Sequence, residues 1–368
     1  MNRERHVTSC LQRHIEEPTK TGLRGRPGII ALSIMVTFIC GFTAVLSGVA
    51  RGQATIHLNY ANFPPETTFP CVQMERWAKE VEKRTNGKVK VHTFPGGTLI
   101  GAKNIFDGVQ SGLADIGNFA MSYQPGRFLV SEAISLPVGF SSSKVASMAL
   151  YDLIEKYKPK EFESVKVLAL FTSPPSSFMT RTPVRTLDDL KGMEVRVSGT
   201  LADAVKALGA IPVAMPQSDT PEAIQKGVVK GIVSSIEILQ DFNIAAYCPY
   251  TTIVNIALTD FAVVMNKKKW NSLPADVKKV LDGLSREQSE WTARYVDDHV
   301  TEAVAWSKAK YGHQLLQLPA SDTAKIPKLM KPIIDEYIAR AKSEGLPSAQ
   351  ILKDVYALKA KYEKVYKE

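Results

Sequence analysis

Cysteine is scarce in this sequence, and the residue patterns of common catalytic sites are missing. Four cysteines occur in 368 residues, which is too few for a disulfide scaffold. Three common motifs do not occur: Gly-x-Ser-x-Gly of serine hydrolases, His-Glu-x-x-His of zinc proteases, and Cys-x-x-Cys of redox or metal sites. Gly96 and Gly101 have the spacing of a phosphate-binding loop, but Ala102 and Lys103 stand where Lys and Ser or Thr are needed. The sequence therefore predicts no enzyme active site and no cofactor.

Patterns for binding metals or nucleic acids are also weak. After residue 54, His299 is the histidine that has acidic neighbours, Asp298 and Glu302. An imidazole and two carboxylates on one helical face are able to hold a metal, but on a long charged helix we interpret them as a solvent-exposed face. The basic run at 267–269 has no interleaved aromatic side chains that would stack on bases. We expect neither a metal ion nor a nucleic-acid partner.

The first 54 residues differ from the rest of the chain. Arg24 and Arg26 precede an apolar run from 29 to 49, and small residues follow it up to Ala54. This order predicts that 1–54 is a signal peptide and that the protein is exported to the periplasm; a single membrane anchor is the alternative. The segment holds seven Arg or Lys and three Asp or Glu, so its removal lowers the formal charge from +9 to +5.

Two cysteines, Cys71 and Cys248, lie beyond the predicted signal peptide. An exported protein reaches an oxidising compartment, in which such a pair is able to form a disulfide. One pair in the whole remaining chain is not a scaffold, however, so the sequence leaves the pairing of these two cysteines open.

The rest of the chain alternates between strand and helix patterns. A first series of strands and helices covers 55–119, and a second covers 165–236. The run from 274 to 311 has no proline after its first residue and carries an apolar stripe, which predicts one helix of about 55 Å at a rise of ~1.5 Å per residue. These features predict an α/β fold with largely parallel sheets and a long helix that lies across two domains.

One cation stands among apolar neighbours. Arg196 follows Val195 and precedes Val197 in an otherwise apolar strand, just before a turn at Ser198 and Gly199. The pattern alone fits an exposed strand position or an internal salt bridge. It also fits an anion site, because a planar guanidinium is able to grip a carboxylate through two parallel hydrogen bonds.

Several runs of residues form a recognisable series along the chain. They lie at 81–91, 94–101, 110–117, 187–197, 208–216, 222–231 and 265–274. The second reads Phe-Pro-Gly-Gly-Thr-Leu-Ile-Gly, and the fourth, which contains Arg196, reads Leu-Asp-Asp-Leu-Lys-Gly-Met-Glu-Val-Arg-Val. In this order the runs resemble the solute-binding proteins of TRAP (tripartite ATP-independent periplasmic) transporters, the DctP-type family. The resemblance extends over about 55–345.

The resemblance implies a two-lobed, periplasmic-binding-protein-like α/β fold with the long helix running beneath both lobes. On this basis the signal peptide is 1–54, the first lobe is 55–173 plus 262–301, and the second lobe is 174–261 plus 302–368. The family captures an organic anion, usually a carboxylate, and delivers it to a sodium-driven membrane permease of a small and a large subunit. We therefore expect a monomeric transport protein with Arg196 as the residue that pairs with the ligand carboxylate. The alternatives are a stand-alone small-molecule receptor and an ABC-type solute-binding protein, and an enzyme is not favoured.

The sequence departs from the family pattern at three places that bear on the ligand. Ser176 occupies the position at which sialate binders carry a second arginine, and Gln217 replaces a common aromatic residue. Ile, Val and Ser at 232–234 replace a common Gln-Glu-Asn. These departures favour a monocarboxylate with an apolar or aromatic body over a sugar acid or a dicarboxylate. Phe178, in a loop expected to face the cleft, fits such a body.

Further ligand-binding candidates follow from position at the ends of strands, where open α/β sheets bind ligands. With the residues above, the expected ligand-binding set is Arg196, Asn62, Phe63, Asn118, Phe119, Tyr123, Ser176, Phe178, Gln217, Ser234 and Ser235. Asn255 and Phe261 lie near an expected crossing between the lobes and are weaker candidates.

Overall fold

The computed structural model describes residues 54–367, so the expected signal peptide lies outside the described residues apart from its last position. The strands are β1 (Ile56–Asn62), β2 (Val89–Phe94), β3 (Ile116–Ala120), β4 (Val165–Thr172), β5 (Ser177–Thr180), β6 (Glu194–Val197), β7 (Ile211–Ala214), β8 (Gly231–Ser234), β9 (Tyr250–Ile253), β10 (Asp260–Asn266) and β11 (Gln314–Gln317). The helices are α1 (Phe69–Arg84), α2 (Ile105–Ser111), α3 (Leu129–Ser135), α4 (Ser143–Tyr157), α5 (Ala202–Ala207), α6 (Thr220–Gln225), α7 (Ile238–Asp241), α8 (Lys267–Ser272), α9 (Ala275–Tyr311), α10 (Ala320–Thr323), α11 (Ile326–Ser343) and α12 (Ser348–Tyr366).

The first lobe is built on a five-stranded sheet with the order β2-β1-β3-β10-β4. β1 is parallel to β2 and β3, whereas β10 is antiparallel to β3 and β4. β3 is buried along its whole length, as expected for a central strand with both faces covered. Helix α2 lies so close to β3 that a Cβ at Gly117 would approach Ile105 Cγ2 to 2.5 Å. A residue larger than glycine at 117 would push this helix away from the sheet.

The second lobe is built on a six-stranded sheet with the order β11-β9-β5-β8-β6-β7. β6 is parallel to β7 and β8, and β5 is antiparallel to β8 and β9. The parallel strands β6 and β8 therefore end at the same edge of the sheet, and the connections that follow them lie side by side.

Helix α9 is 37 residues long and packs against both lobes. At ~1.5 Å per residue it spans about 55 Å, as its sequence pattern predicts. It contacts α1, α4 and β4 of the first lobe and α7 of the second. Polar side chains tie the helix to the first lobe: Ser289 Oγ accepts a hydrogen bond from the Leu170 amide at 3.0 Å, and Gln288 Nε2 donates one to the Gln73 carbonyl at 2.9 Å.

Two of the segments that carry the chain between the lobes lie side by side. The chain leaves the first sheet after β4 and returns to it at β10. At this crossing the Ser173 amide donates a hydrogen bond to the Thr259 carbonyl at 2.8 Å, and Ser173 Oγ accepts one from the Thr259 amide at 3.0 Å. The two segments thus adjoin neighbouring antiparallel strands, β4 and β10, and are hydrogen-bonded to each other.

The C-terminal helix lies on a different lobe from the one expected. We expected 302–368 to belong to the second lobe, but α12 packs against α4 of the first lobe, and Ile351, Val355 and Tyr362 are buried in its core. Tyr362 Oη also donates a hydrogen bond to Asp152 of α4 at 2.5 Å. The apolar stripe of α12 predicts a helix that covers a core, and it does not specify which core.

Cys71 and Cys248 are both unpaired and buried. Cys71 belongs to the core of the first lobe and Cys248 to a core cluster of the second. The structure therefore contains no bridge between them. Within 54–367 no helix combines the length and the hydropathy that a membrane crossing requires.

Candidate functional site

A pocket lies between the lobes and encloses about 460 Å³ of empty space, part of it open to solvent. The first lobe and the crossing segments contribute Phe63, Pro64, Thr68, Phe69, Pro70, Tyr123, Ser173, Thr259 and Phe261. The second lobe contributes Arg196, Ser198, Gln217, Ser234, Ser235, Glu237, Ile238, Asp241 and Phe242. These second-lobe residues lie near the ends of β6, β7 and β8 or in and beside α7, so one edge of the parallel part of the sheet forms this wall.

Arg196 is buried in this wall, with 2% of its surface exposed. It lies in β6 between β7 and β8, opposite Val213 and Ile232. Its hydrogen-bond acceptors are neutral: the Met215 carbonyl accepts from Nε at 3.0 Å and from Nη2 at 2.7 Å, and Gln217 Oε1 accepts from Nη1 at 2.5 Å. Burial lowers the pKa of Arg196 from its ordinary value, but a guanidinium stays charged.

A buried cation whose hydrogen-bond partners are neutral favours an anion beside it. Removing a charge from water is costly unless a charge of opposite sign or several hydrogen bonds compensate for it. Two further buried polar atoms of the wall, Ser198 Oγ and Gln217 Nε2, have no hydrogen-bond partner in the structure. Both are able to donate a hydrogen bond, so with Arg196 they form a set of donors suited to a carboxylate.

Aromatic side chains cover the first-lobe side of the pocket. Phe63 and Tyr123 meet edge to face, with ring centroids 5.4 Å apart. Phe69 contacts Phe261 at 5.7 Å and Phe171 at 5.9 Å, also edge to face. Such edge-to-face contacts hold the rings in fixed orientations. The pocket thus offers an apolar, rigid surface opposite the donors of the second lobe.

Hydrogen bonds across the pocket hold the two lobes together. Tyr123 follows β3 of the first lobe, and its Oη accepts hydrogen bonds from the Gln217 amide at 2.9 Å and from Arg196 Nη2 at 3.5 Å. The Phe69 amide, at the start of α1, donates one to Asp241 Oδ2 of the second lobe at 3.2 Å. The lobes are therefore in contact on both sides of the pocket, which is a closed arrangement.

Asp241 also binds the long helix. Its Oδ1 lies 2.7 Å from His299 Nε2, and Glu302 Oε2 lies 3.1 Å from His299 Nδ1. The hydrogen bond with Asp241 raises the pKa of His299 to about 9. We expected 298–302 to be a solvent-exposed face, and for His299 this is wrong: it is only 8% exposed, because α7 packs over it.

The model of the family of bacterial extracellular solute-binding proteins, family 7 (DctP), matches residues 60–341. The chain belongs to this family. A TRAP periplasmic solute-binding protein from Desulfovibrio salexigens DSM2638 is 54% identical to it, with a TM-score of 0.76 over 84% of this chain and 97% of that one. That structure is an open complex with the C-terminus of a symmetry mate bound in the ligand-binding site. The resemblance seen in the sequence and the predicted two-lobed α/β fold are thereby confirmed.

Two further members of the family differ in what they bind. A TRAP solute-binding protein from an unidentified microbe of a marine metagenome is 28% identical, with a TM-score of 0.80 over 84% of this chain and 99% of that one. It is specific for aromatic acid ligands and is in complex with metahydroxyphenylacetate. The C4-dicarboxylate-binding periplasmic protein DctP of Rhodobacter capsulatus is 24% identical over 274 residues, 73% of this chain and 82% of that protein.

The structure brings six of the predicted site residues of this family member to the pocket. They are Arg196, Phe63, Tyr123, Gln217, Ser234 and Ser235. Phe261, a weaker candidate, also lines it, whereas Asn255 does not.

Two predicted asparagines lie behind the pocket wall and position it. Asn118 Nδ2 donates a hydrogen bond to Asn62 Oδ1 at 3.0 Å, and Asn62 Nδ2 donates one to the Pro70 carbonyl at 2.7 Å. The Phe63 amide also donates to Asn62 Oδ1, at 3.0 Å. Asn62 thereby fixes the turn that carries Phe63 and the start of α1, and neither asparagine lines the pocket.

Three other predicted residues lie away from the pocket. Phe119 packs in the first-lobe core against Phe106, with ring centroids 5.0 Å apart. Ser176 is buried in the crossing segment, where its amide donates to the Ala257 carbonyl at 2.7 Å. Phe178 is buried in the core of the second lobe. The loop from 174 to 179 was expected to face the cleft, but β5 turns Phe178 into the sheet's own core.

Sequence reasoning missed several pocket residues, among them Phe69, Ser198, Glu237, Asp241 and Phe242. A signal existed for Ser198, which directly follows the strand that carries Arg196. Phe69 begins the helix that follows the turn after β1. Ligands bind at the ends of strands in open α/β sheets, so a search that included the first turn of the following helix would have found it. Glu237 and Asp241 gave no signal, because a single acidic residue near a strand end is usually a solvent-exposed one.

Proposed function

We propose that this protein is the exported solute-binding subunit of a TRAP transporter and that its solute is a monocarboxylic acid with an aromatic or apolar body. The observation that carries the proposal is Arg196: a buried guanidinium with neutral hydrogen-bond acceptors, facing a pocket between two lobes. The ligand carboxylate supplies the missing negative charge. Ser198 Oγ and Gln217 Nε2 donate the further hydrogen bonds that a buried carboxylate requires.

The charges of the pocket favour one carboxylate over two. Arg196 is the basic residue among the described residues that line it, and Glu237 and Asp241 are acidic. A second carboxylate on the ligand would lie in this pocket without a cation of its own, which is unfavourable in a buried site. The metagenome relative's specificity for aromatic acids agrees with this assignment, as does the peptide C-terminus in the ligand-binding site of the 54% identical relative.

Transport is the role that fits the family and the sequence. The segment 1–54 acts as a signal peptide in this proposal, and the protein works in the periplasm as a monomer. It hands its solute to a permease of a small and a large membrane subunit. Binding energy is used to close the lobes around the solute and not for chemistry, so the bound acid is released unchanged.

The test has two steps. Native mass spectrometry of protein purified from the periplasm identifies any retained acid. Thermal-shift and calorimetric titrations then compare benzoate, phenylacetate and C4-dicarboxylates on the wild type, on Arg196→Gln and on Arg185→Gln, an exposed arginine of the same lobe. We expect stabilisation by aromatic monocarboxylates that is lost in Arg196→Gln and kept in Arg185→Gln. Stabilisation by C4-dicarboxylates alone, or normal binding by Arg196→Gln, contradicts the proposal.

A further inference from the structure

Glu237 is a buried acidic residue of the pocket wall that the carboxylate site does not use. It is 1% exposed and follows β8 directly before α7. Its Oε1 accepts a hydrogen bond from Ser235 Oγ at 2.5 Å. Its Oε2 is buried without a hydrogen-bond partner. A buried oxygen without a hydrogen-bond partner destabilises the protein, and a donor on a ligand would remove this cost.

We propose that Glu237 hydrogen-bonds a hydroxyl group on the body of the ligand, so that the preferred solute is a hydroxylated monocarboxylic acid. This inference rests on the proposed function, because it places the ligand carboxylate at Arg196. The two positions are neighbours in the sheet: Arg196 lies in β6 and Glu237 follows the adjacent parallel strand β8. The second-lobe wall of the pocket therefore offers hydrogen-bond donors at the end of β6 and an acceptor, Glu237, after the end of β8.

A hydroxyl group fits Glu237 better than a cation does. Burial raises the pKa of Glu237 to about 8, so the side chain is mainly neutral at pH 7 and is able both to accept and to donate a hydrogen bond. An ammonium group or a metal ion would instead require a charged carboxylate. Within 54–367 no group of three or more His, Cys, Asp or Glu residues is arranged to hold a metal ion.

The neighbouring acid is a weaker acceptor for a ligand. Asp241 also lines the pocket, but each of its two oxygens already has a hydrogen-bond donor, His299 or the Phe69 amide. Of the four carboxyl oxygens of Asp241 and Glu237, Glu237 Oε2 is the one without a hydrogen-bond partner. Ser235, held by the other oxygen of Glu237, fixes the orientation of the carboxyl group.

The experiment compares acids that differ by one hydroxyl group. Isothermal titration calorimetry, with and without EDTA, measures the affinities of benzoate and the three hydroxybenzoates, and of phenylacetate, mandelate and the hydroxyphenylacetates. The proteins are the wild type, Glu237→Leu, Glu237→Gln and the control Glu222→Gln, an exposed acid of the same lobe. Thermal unfolding without ligand checks that each variant is folded.

We expect the wild type and Glu222→Gln to bind at least one hydroxylated acid about tenfold or more tightly than its parent acid. Glu237→Leu should bind the parent acids and lose this preference, and Glu237→Gln, which keeps an acceptor oxygen, should retain part of it. The inference is overturned if the wild type shows no preference, if Glu237→Leu or Glu237→Gln keeps it in full, or if EDTA abolishes it. If no monocarboxylate binds to the wild type, it is the proposed function that fails.

Discussion

Arg196 is a buried charge whose hydrogen-bond acceptors are all neutral. Its guanidinium is removed from water, and its acceptors are a carbonyl, an amide and a hydroxyl oxygen. Neutral acceptors compensate only in part for the lost hydration of a cation. We therefore expect an apolar residue of similar volume at this position to give an equal or higher free energy of unfolding, and the proposed ligand carboxylate to stabilise the wild type.

Replacing Arg196 by methionine should separate these two effects. We expect Arg196→Met to lose carboxylate binding, while its free energy of unfolding without ligand stays within about 1 kcal/mol of the wild type or exceeds it. Urea unfolding monitored by circular dichroism measures the latter. A destabilisation of about 3 kcal/mol or more would mean that Arg196 mainly supports the fold.

The two buried cysteines give a second prediction at this scale. Burial raises the pKa of both Cys71 and Cys248 to about 12, so neither forms the reactive thiolate at pH 8. We expect a protein produced from residue 55 onwards to show almost no reaction with a thiol reagent when folded and two reactive thiols in urea. Two protected cysteines that remain unreactive in urea without a reductant would indicate a disulfide instead.

At the scale of elements, α7 is the part that connects the pocket to the long helix. Asp241 at its end binds His299 of α9 and the first amide of α1, so one carboxylate joins three helices from both lobes. The helix is only four residues long, and its position depends on these contacts more than on its own hydrogen bonds.

The histidine of this contact should make stability depend on pH. The pKa of His299 is about 9 in the folded protein and near 6.5 in an unfolded chain. The contribution of protonated His299 to the free energy of unfolding is therefore complete below about pH 6.5 and is lost as the pH rises towards 9. We expect the difference in the free energy of unfolding between wild type and His299→Gln to fall by on the order of 2 kcal/mol between pH 6 and 9.

The control for this measurement is Asp298→Asn, at the exposed neighbouring position on the same helix. The free energy of unfolding of Asp298→Asn should vary with pH as that of the wild type does. The reason is that Asp241, Glu302 and Glu237 are the acidic groups that raise the pKa of His299. A difference between wild type and His299→Gln that stays constant from pH 6 to 9 would contradict the prediction.

At the scale of the molecule, hydrogen bonds across the pocket contribute to the closed arrangement of the lobes. Tyr123 Oη accepts one from the Gln217 amide and one from Arg196, both beside the proposed carboxylate position. The 54% identical relative, an open complex, has a TM-score of 0.76, below the 0.80 of the 28% identical complex with metahydroxyphenylacetate. A lower score at a higher identity is the result expected if an open and a closed form differ in the angle between their lobes.

Removing the Tyr123 hydroxyl should shift the protein towards the open form. We expect Tyr123→Phe to weaken ligand affinity about 3- to 10-fold, the equivalent of one hydrogen bond, and Tyr356→Phe, at an exposed site, to leave it unchanged. Small-angle X-ray scattering should show a radius of gyration that decreases on adding ligand, and less completely in Tyr123→Phe. Equal affinity in the two variants would show that this contact does not favour closure.

The sequence predicted the parts of this molecule that depend on local pattern. Arg196 stood out because a charge in an apolar strand is unusual, and the length of α9 followed from its apolar stripe. Glu237 and Asp241 did not stand out, because their burial depends on elements far away in the chain, such as α9 and the start of α1. For the same reason α12 was recognisable as an amphipathic helix but was assigned to the other lobe.

The order of the elements has a consequence for how the chain folds. The first lobe begins at β1 but needs β10 to join β3 to β4 and α12 to cover α4. The second lobe needs β11, which follows α9, to complete its edge. The first core thus joins residues from both ends of the described chain, and the second sheet joins β11 to strands that precede α9. Loop closure on this scale slows folding. Neither half can reach its final form until synthesis has delivered almost the entire polypeptide.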